Sequence, residues 1–164
     1  MMFDVATVQA RYAGPLGTMI LAATARGLAG LWFEGQRHLP RSEAWPLRQS
    51  HPVFGQAMAQ LDEYFAGRRT RFDLALDLQA GTAFQQAVWR TLRAIPAGAT
   101  TSYAAVSREI GRPAAVRAVG AAIGRNPLSI LVPCHRVVGA NGSLTGYAGG
   151  LERKAALLRL EGVI

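Results

Sequence analysis

Between residues 19 and 33 two apolar runs, MILAAT and LAGLWF, flank the turn-like ARG of 25–27, which predicts a β-hairpin. A loop rich in Pro and Arg follows over 39–52. Phe54, Met58, Leu61 and Phe65 then recur at helical spacing, and Gly67 stands where such a helix would stop. RFDLALDL alternates, with Phe72, Leu74, Leu76 and Leu78 on one face, the period of a half-buried strand. Together these elements predict a small α/β unit over residues 1–80, one helix on a small sheet.

From residue 81 the period is helical. Thr82 and Gln85 are spaced as a capping box, opening a helix whose Phe84, Val88, Leu92 and Ile95 share a stripe, and IPAG breaks it. Ser102 is placed to cap a second helix over 103–110, closed by Gly111. Pro113 predicts the first turn of a third helix, from 114 to about 124. Two short helices joined by a glycine-containing turn predict a helix-turn-helix. In the third helix Ala118, Gly120, Ala121, Ala122 and Gly124 leave little but Arg117 and Arg125 projecting. So lean a surface suits close approach to another backbone, and it equally suits tight helix packing. ILV at 130–132 reads as a short strand, 139–142 as a turn, and 151–160 as a final helix stopped by Gly162. Residues 81–164 are therefore expected to form a second, mostly α unit.

Charge separates the two parts. The 164-residue chain has a formal net charge of +8, and 17 of its 18 basic residues are arginine. Residues 1–80 hold 8 basic and 7 acidic side chains (+1), whereas 81–164 hold 10 and 3 (+7). Arginine's planar fork suits phosphates and base edges, so the second half is where a nucleic acid would be met. A chain that uses arginine only for solubility would share this composition. The first residues lack a basic segment followed by an apolar stretch, and no apolar run approaches a membrane span, so a cytoplasmic, membrane-free protein is expected. His38 and His51 have no cysteine companions, and no metal is expected.

The single cysteine, Cys134, lies in LSILVPCHRVVG. It cannot form an internal disulfide, which suits a reducing compartment. A lone cysteine is often an idle small hydrophobe. A thiol with a pKa of about 8.5 is only slightly ionised at neutral pH, so a nucleophile needs a base or cations nearby. His135 and Arg136 follow at once, and Pro133 fixes the backbone before the thiol. Neighbours in an extended segment point to opposite sides, so a bridging water is one way to join Cys134 to His135.

The runs SYAAVSREIG, RAVGAAIGRNP and ILVPCHRVVGANGSLTGYAGGLERKAALLRLEG resemble the O6-alkylguanine-DNA alkyltransferases, continuously from about residue 82 to 162. GPLGTMILAAT, LDEYFAG and the FDLALDL strand are similar more loosely. The resemblance implies a ribonuclease-H-like α/β domain followed by a helix-turn-helix domain. It implies direct repair without a cofactor: a monomer binds duplex DNA through the minor groove, flips out O6-alkylguanine, and takes the alkyl group irreversibly onto Cys134. O4-alkylthymine is a second lesion it suggests.

Position by position, the resemblance implies a Cys134, His135, water, Glu161 relay, with Asn126 tying the recognition segment to the cysteine loop. Arg117 would fill the gap left by the flipped base. Tyr103 would turn the phosphate and offer its hydroxyl to the purine. Ser102, Ala118, Gly120, Ala121, Arg125 and Arg136 would complete the DNA surface. Pro133, Val137, Tyr147 and Ala148 would form the substrate pocket, with the backbone around Cys134 and Val137 reading the guanine edge. Ala148 stands where some relatives have serine, which removes one hydroxyl contact to the lesion. Glu161 is also unusual for its place, because a helix C-terminus is unfavourable for a carboxylate.

Overall fold

A computed structural model describes residues 1–164. It opens with an antiparallel meander of β1 (Val8–Gly14), β2 (Gly17–Thr24) and β3 (Gly27–Phe33), in that order. The hairpin expected from the two apolar runs is β2–β3, with Thr24 opposite Gly27. The strand β1 lies outside the sequence-based expectation. MILAAT does not alternate because both faces of the sheet are covered. Tyr12, Met19, Leu21, Leu31 and Phe33 belong to the main core, while Ile20, Ala22 and Trp32 lie under Phe3, Leu39 and Trp45.

Helix α1 (Pro52–Phe65) forms where its spacing predicts. His51 Nδ1 accepts from the Val53 amide at 3.2 Å to cap it, and Gly67 follows at φ +76°. The alternation of RFDLALDL does not produce a full strand. The segment is extended but joins the sheet through one bridge, Leu76 beside Leu28, with the Leu28 amide donating to Ala75 O (2.9 Å) and the Asp77 amide to Leu28 O (2.8 Å). Gly27, at φ +144°, permits this approach, since any Cβ there would strike the Ala75 carbonyl. Phe72, Leu74, Leu76 and Leu78 are half-buried against the core, which explains the alternation without a ladder.

Helix α2 (Ala83–Arg93) begins with the Thr82/Gln85 capping box, both reciprocal bonds being present. The short strand β4 (Thr101–Ser102) leads into α3 (Tyr103–Glu109), capped by the Ser102 hydroxyl on the Ala105 amide at 3.1 Å. Gly111 ends α3 at φ +74°. Helix α4 runs over Val116–Gly124, two residues later than expected. Residues 112–115 form a turn closed by the Ala115 amide on Arg112 O (2.9 Å), and the Ser107 hydroxyl also binds Arg112 O, so Pro113 precedes the helix instead of starting it. Val88, Trp89 and Leu92 of α2 pack with Val106, Val119 and Ile123, and Trp89 Nε1 donates to Ala122 O at 2.8 Å.

The ILV run is a turn and not a strand. Ile130 sits at φ +73°, and the Val132 amide donates to Leu128 O at 2.9 Å. Left-handed backbone is rare for a β-branched residue, so the surrounding packing must enforce it. Residues 127–129 instead dock beside β3: the Leu31 amide donates to Pro127 O (2.7 Å) and the Ser129 amide to Leu31 O (3.0 Å). A 3-10 turn, Cys134–Arg136, leads into β5 (Val137–Val138), which pairs with β4 in parallel. Helix α5 (Leu151–Leu160) closes the chain, capped at Glu161. We retain 1–80 and 81–164 as proposed units, although one cluster of 27 buried residues runs through both. No helix is long and apolar enough to cross a membrane.

Candidate active site

The 3-10 turn decides the geometry around the thiol. Cys134 and His135 do not alternate across a strand, as an extended run would have made them; the Arg136 amide donates to Pro133 O (3.0 Å) and turns the chain back. Cys134 is buried at 7% exposure, yet it lines a cavity of about 360 Å³. Tyr103 and α4, the 146–148 segment, and Arg37 and His38 form the other walls. Behind the cysteine, Asn126 donates to Val132 O at 2.7 Å and accepts from the Leu128 amide at 2.9 Å, which braces the turn. These bonds run from a residue just after α4 to the segment before Cys134.

His135 is fully buried, with Nε2 2.8 Å from Glu161 Oε2. Facing a carboxylate, Nε2 carries the proton of the neutral ring and leaves Nδ1 as the acceptor. Nδ1 is buried with no hydrogen-bond partner in the protein. Glu161 also accepts from Arg136 at both oxygens, each at 2.8 Å, and from the Tyr64 hydroxyl at 2.6 Å. Burial alone would raise its pKa, but the donors Arg136, His135 and Tyr64 overcome that and hold it down at about 2. Four charge-assisted bonds supply the reason for a carboxylate at this helix end.

Burial pushes the Cys134 thiol up, against the Asn126 side chain and the Lys154 charge, so the resting group is a thiol. Burial also lowers His135, partly countered by Glu161, so the ring rests neutral. A neutral imidazole backed by a carboxylate is a general base, and a buried thiol beside it is a nucleophile in waiting.

Several expected residues need correction. Arg136 is 6% exposed and committed to Glu161 and to Ile95 O (2.6 Å), so its guanidinium is turned inward and not toward a DNA surface. The buried carboxylate draws it inward. Pro133 lines a different cavity, and Val137 is buried with its carbonyl accepting from Lys154 at 2.6 Å. Tyr103, Tyr147 and Ala148 line the thiol's cavity, with the Tyr103 hydroxyl donating to Thr145 O at 2.9 Å. On the outside, Arg117, Ala118, Ala121 and Arg125 are exposed, and Gly120 and Ser102 half-buried, the latter's hydroxyl serving as the α3 cap. Local pattern does not reveal Tyr64, Arg37, His38 or Lys154. Only Lys154 carries a signal, as the one lysine in the chain. No cluster of three or more His, Cys, Asp or Glu side chains is placed to hold a metal.

Two family models match nearly the whole chain: the 6-O-methylguanine DNA methyltransferase ribonuclease-like domain over residues 8–78, and the DNA binding domain of the same family over 83–163. The chain belongs to the 6-O-methylguanine DNA methyltransferase family. The methylated-DNA–protein-cysteine methyltransferase of Mycobacterium leprae is 48% identical over 147 residues, 90% of this chain and 87% of the relative. That of Methanosarcina acetivorans is 45% identical over 152 residues, 92% and 96% of the two chains. Among solved structures, the Mycobacterium tuberculosis O6-methylguanine methyltransferase matches with a TM-score of 0.85 at 46% identity, covering 94% of this chain and 92% of that one. The structure of the same organism's protein in complex with DNA matches at 0.84, over 94% and 91%. The two-part fold, a small sheet domain before a helical DNA-binding domain, is that of this family.

Proposed function

We propose that this methyltransferase repairs DNA directly, moving the alkyl group of an O6-alkylguanine in duplex DNA onto its own Cys134, once per molecule and without a cofactor. The carrying observation is that Cys134 lines a cavity beside α4 while His135, Glu161 and Arg136 stand behind it. His135 Nδ1 takes the thiol proton, through a water molecule, as Nε2–H stays on Glu161. The thiolate sulfur then attacks the alkyl carbon; the S–C bond forms and the C–O6 bond breaks. The departing guanine takes a proton from Tyr103, whose hydroxyl moves off Thr145 O, and Tyr103 recovers the proton that the thiol released, by way of His135. The product is a thioether, whose C–S bond is not opened by thiol exchange, so each molecule reacts once.

Flipping the base out costs a few kcal/mol of stacking and pairing. Arg117, exposed at the start of α4, is suited to fill the gap. The lean face of Ala118, Gly120 and Ala121 favours the minor groove over the major, with Arg125 on a phosphate. We assign this work to a monomer in the cytoplasm, where a lone thiol stays reduced. The test is intact mass spectrometry after mixing with a duplex carrying one O6-methylguanine. The protein is expected to gain the mass of one CH2 in stoichiometric amount, and Cys134→Ser to gain none while still binding duplex. Sustained turnover, or no gain, overturns the reading. The same assay on O4-methylthymine measures the second lesion.

A further inference from the structure

Lys154 is the one lysine beside 17 arginines, and it is fully buried on α5. Its ammonium donates to three backbone carbonyls: Val137 at 2.6 Å, Thr145 at 2.8 Å and Gly146 at 3.1 Å. A compact group with three donors suits three carbonyls converging on one point, where a flat five-donor guanidinium does not. None of the ion pairs includes Lys154. A buried charge with no counter-ion is costly, and three neutral carbonyls do not cancel it.

Its partners are the parts of the site. Val137 directly follows the Cys134–Arg136 turn, while Thr145 and Gly146 lead into the Tyr147–Ala148 wall. Tyr103 donates to the same Thr145 carbonyl. We infer that Lys154 is a positioning residue of the alkyl-transfer site: its buried ammonium clamps the cysteine turn to the 145–148 wall and supplies the uncompensated positive charge against which the Cys134 thiolate forms. This deepens the alkyl-transfer reading and rests on it.

The electrostatics agree with that placement. Burial pulls Lys154 down to about 8, while the Cys134 charge pushes it back up. Of the other titratable groups, His135 of the turn feels the Lys154 charge, and the Tyr103 hydroxyl shares the Thr145 carbonyl with it. Arg136 and Glu161 neutralise each other, and burial raises Tyr147 well above its ordinary value. Lys154 is thus the cation whose loss on the alkaline side leaves the sulfur uncompensated.

The test is the single-turnover rate with free O6-benzylguanine across neutral and alkaline pH, with near-UV circular dichroism reporting the fold. In the wild-type protein the rate should rise through neutral pH and fall again as Lys154 loses its proton near pH 8. Lys154→Met should lose that falling limb, and its rate at neutral pH should drop about tenfold or more, since one unit of thiol pKa is a factor of ten in thiolate. Its affinity for undamaged duplex should stay unchanged, because Lys154 is buried. A wild-type rate that stays level well above pH 8 with the fold intact overturns the inference. So does a Lys154→Met profile of wild-type shape at reduced height. If Lys154→Met does not fold, the wild-type limb alone decides. Wild-type protein that gains no alkyl mass from either substrate fails the alkyl-transfer reading instead, which keeps the two failures apart.

Discussion

Arg136 holds Glu161 by both carboxylate oxygens, Nε on Oε1 and Nη2 on Oε2, each at 2.8 Å. With side-chain exposures of 7% and 2%, the pair is out of water. Removing one partner leaves the other charged and buried. Arg136→Met is expected to destabilise the fold by about 3–5 kcal/mol, as for other broken buried pairs. Urea denaturation measures this, and duplex affinity of the folded fraction should be nearly unchanged. A loss of affinity without a loss of stability would return Arg136 to the DNA surface.

Glu161 also sets an acid limit on stability. Its folded pKa of about 2 lies below the ordinary 4.5, so its contribution is present above the ordinary value and is lost as pH falls toward the folded one. Wild-type protein should therefore lose stability steadily between about pH 5 and pH 2, with protons binding more strongly to the unfolded chain. Glu161→Gln should flatten that part of the curve and slow alkyl transfer. Equal acid slopes for the two proteins, measured by denaturant titration at each pH, would remove Glu161 from the account.

Asn126 braces the turn that carries the thiol, through Val132 O and the Leu128 amide. Asn126→Ala leaves the Leu128 amide buried without a partner and leaves Val132 O with the Cys134 amide alone, a cost of about 1–3 kcal/mol. Transfer to Cys134 from a free O6-alkylguanine base should slow as well as transfer from duplex, because the defect lies in the turn and not in DNA contacts. A rate loss confined to duplex would point to a DNA-facing role.

Arg117 is exposed at the start of α4 and touches none of the relay. Arg117→Ala should slow repair of duplex lesions about tenfold or more, since it uncovers a flipping penalty of a few kcal/mol and each ~1.4 kcal/mol is a factor of ten. The free base leaves no stack, so its reaction should change little. Tyr103→Phe should depress both, its hydroxyl being proposed to serve the phosphate and the purine alike. Single-turnover rates of both variants on both substrates make the comparison, and equal losses for Arg117→Ala would withdraw its assignment to the gap left by the flipped base.

What the sequence by itself determined was local. The caps at Thr82 and Ser102, the stop at Gly111, the α1 stripe and the β2–β3 hairpin depend on residues within a few positions of one another, and each is present in the fold. The motif PCHR likewise placed thiol, imidazole and guanidinium together, because they are neighbours in the chain. Tertiary structure decided what those neighbours do. Ile130 is forced to a left-handed backbone, which turns ILV away from a strand, and RFDLALDL keeps its alternation with one bridge because Gly27 admits it at one point only. Arg136 points inward because a carboxylate 25 residues away must be paired, and Tyr64 joins that carboxylate from 97 residues away. Lys154 finds its three carbonyls on two separate segments. Buried charges and hydroxyls take whichever partners the packed core brings within reach, and no local pattern encodes partners that far apart.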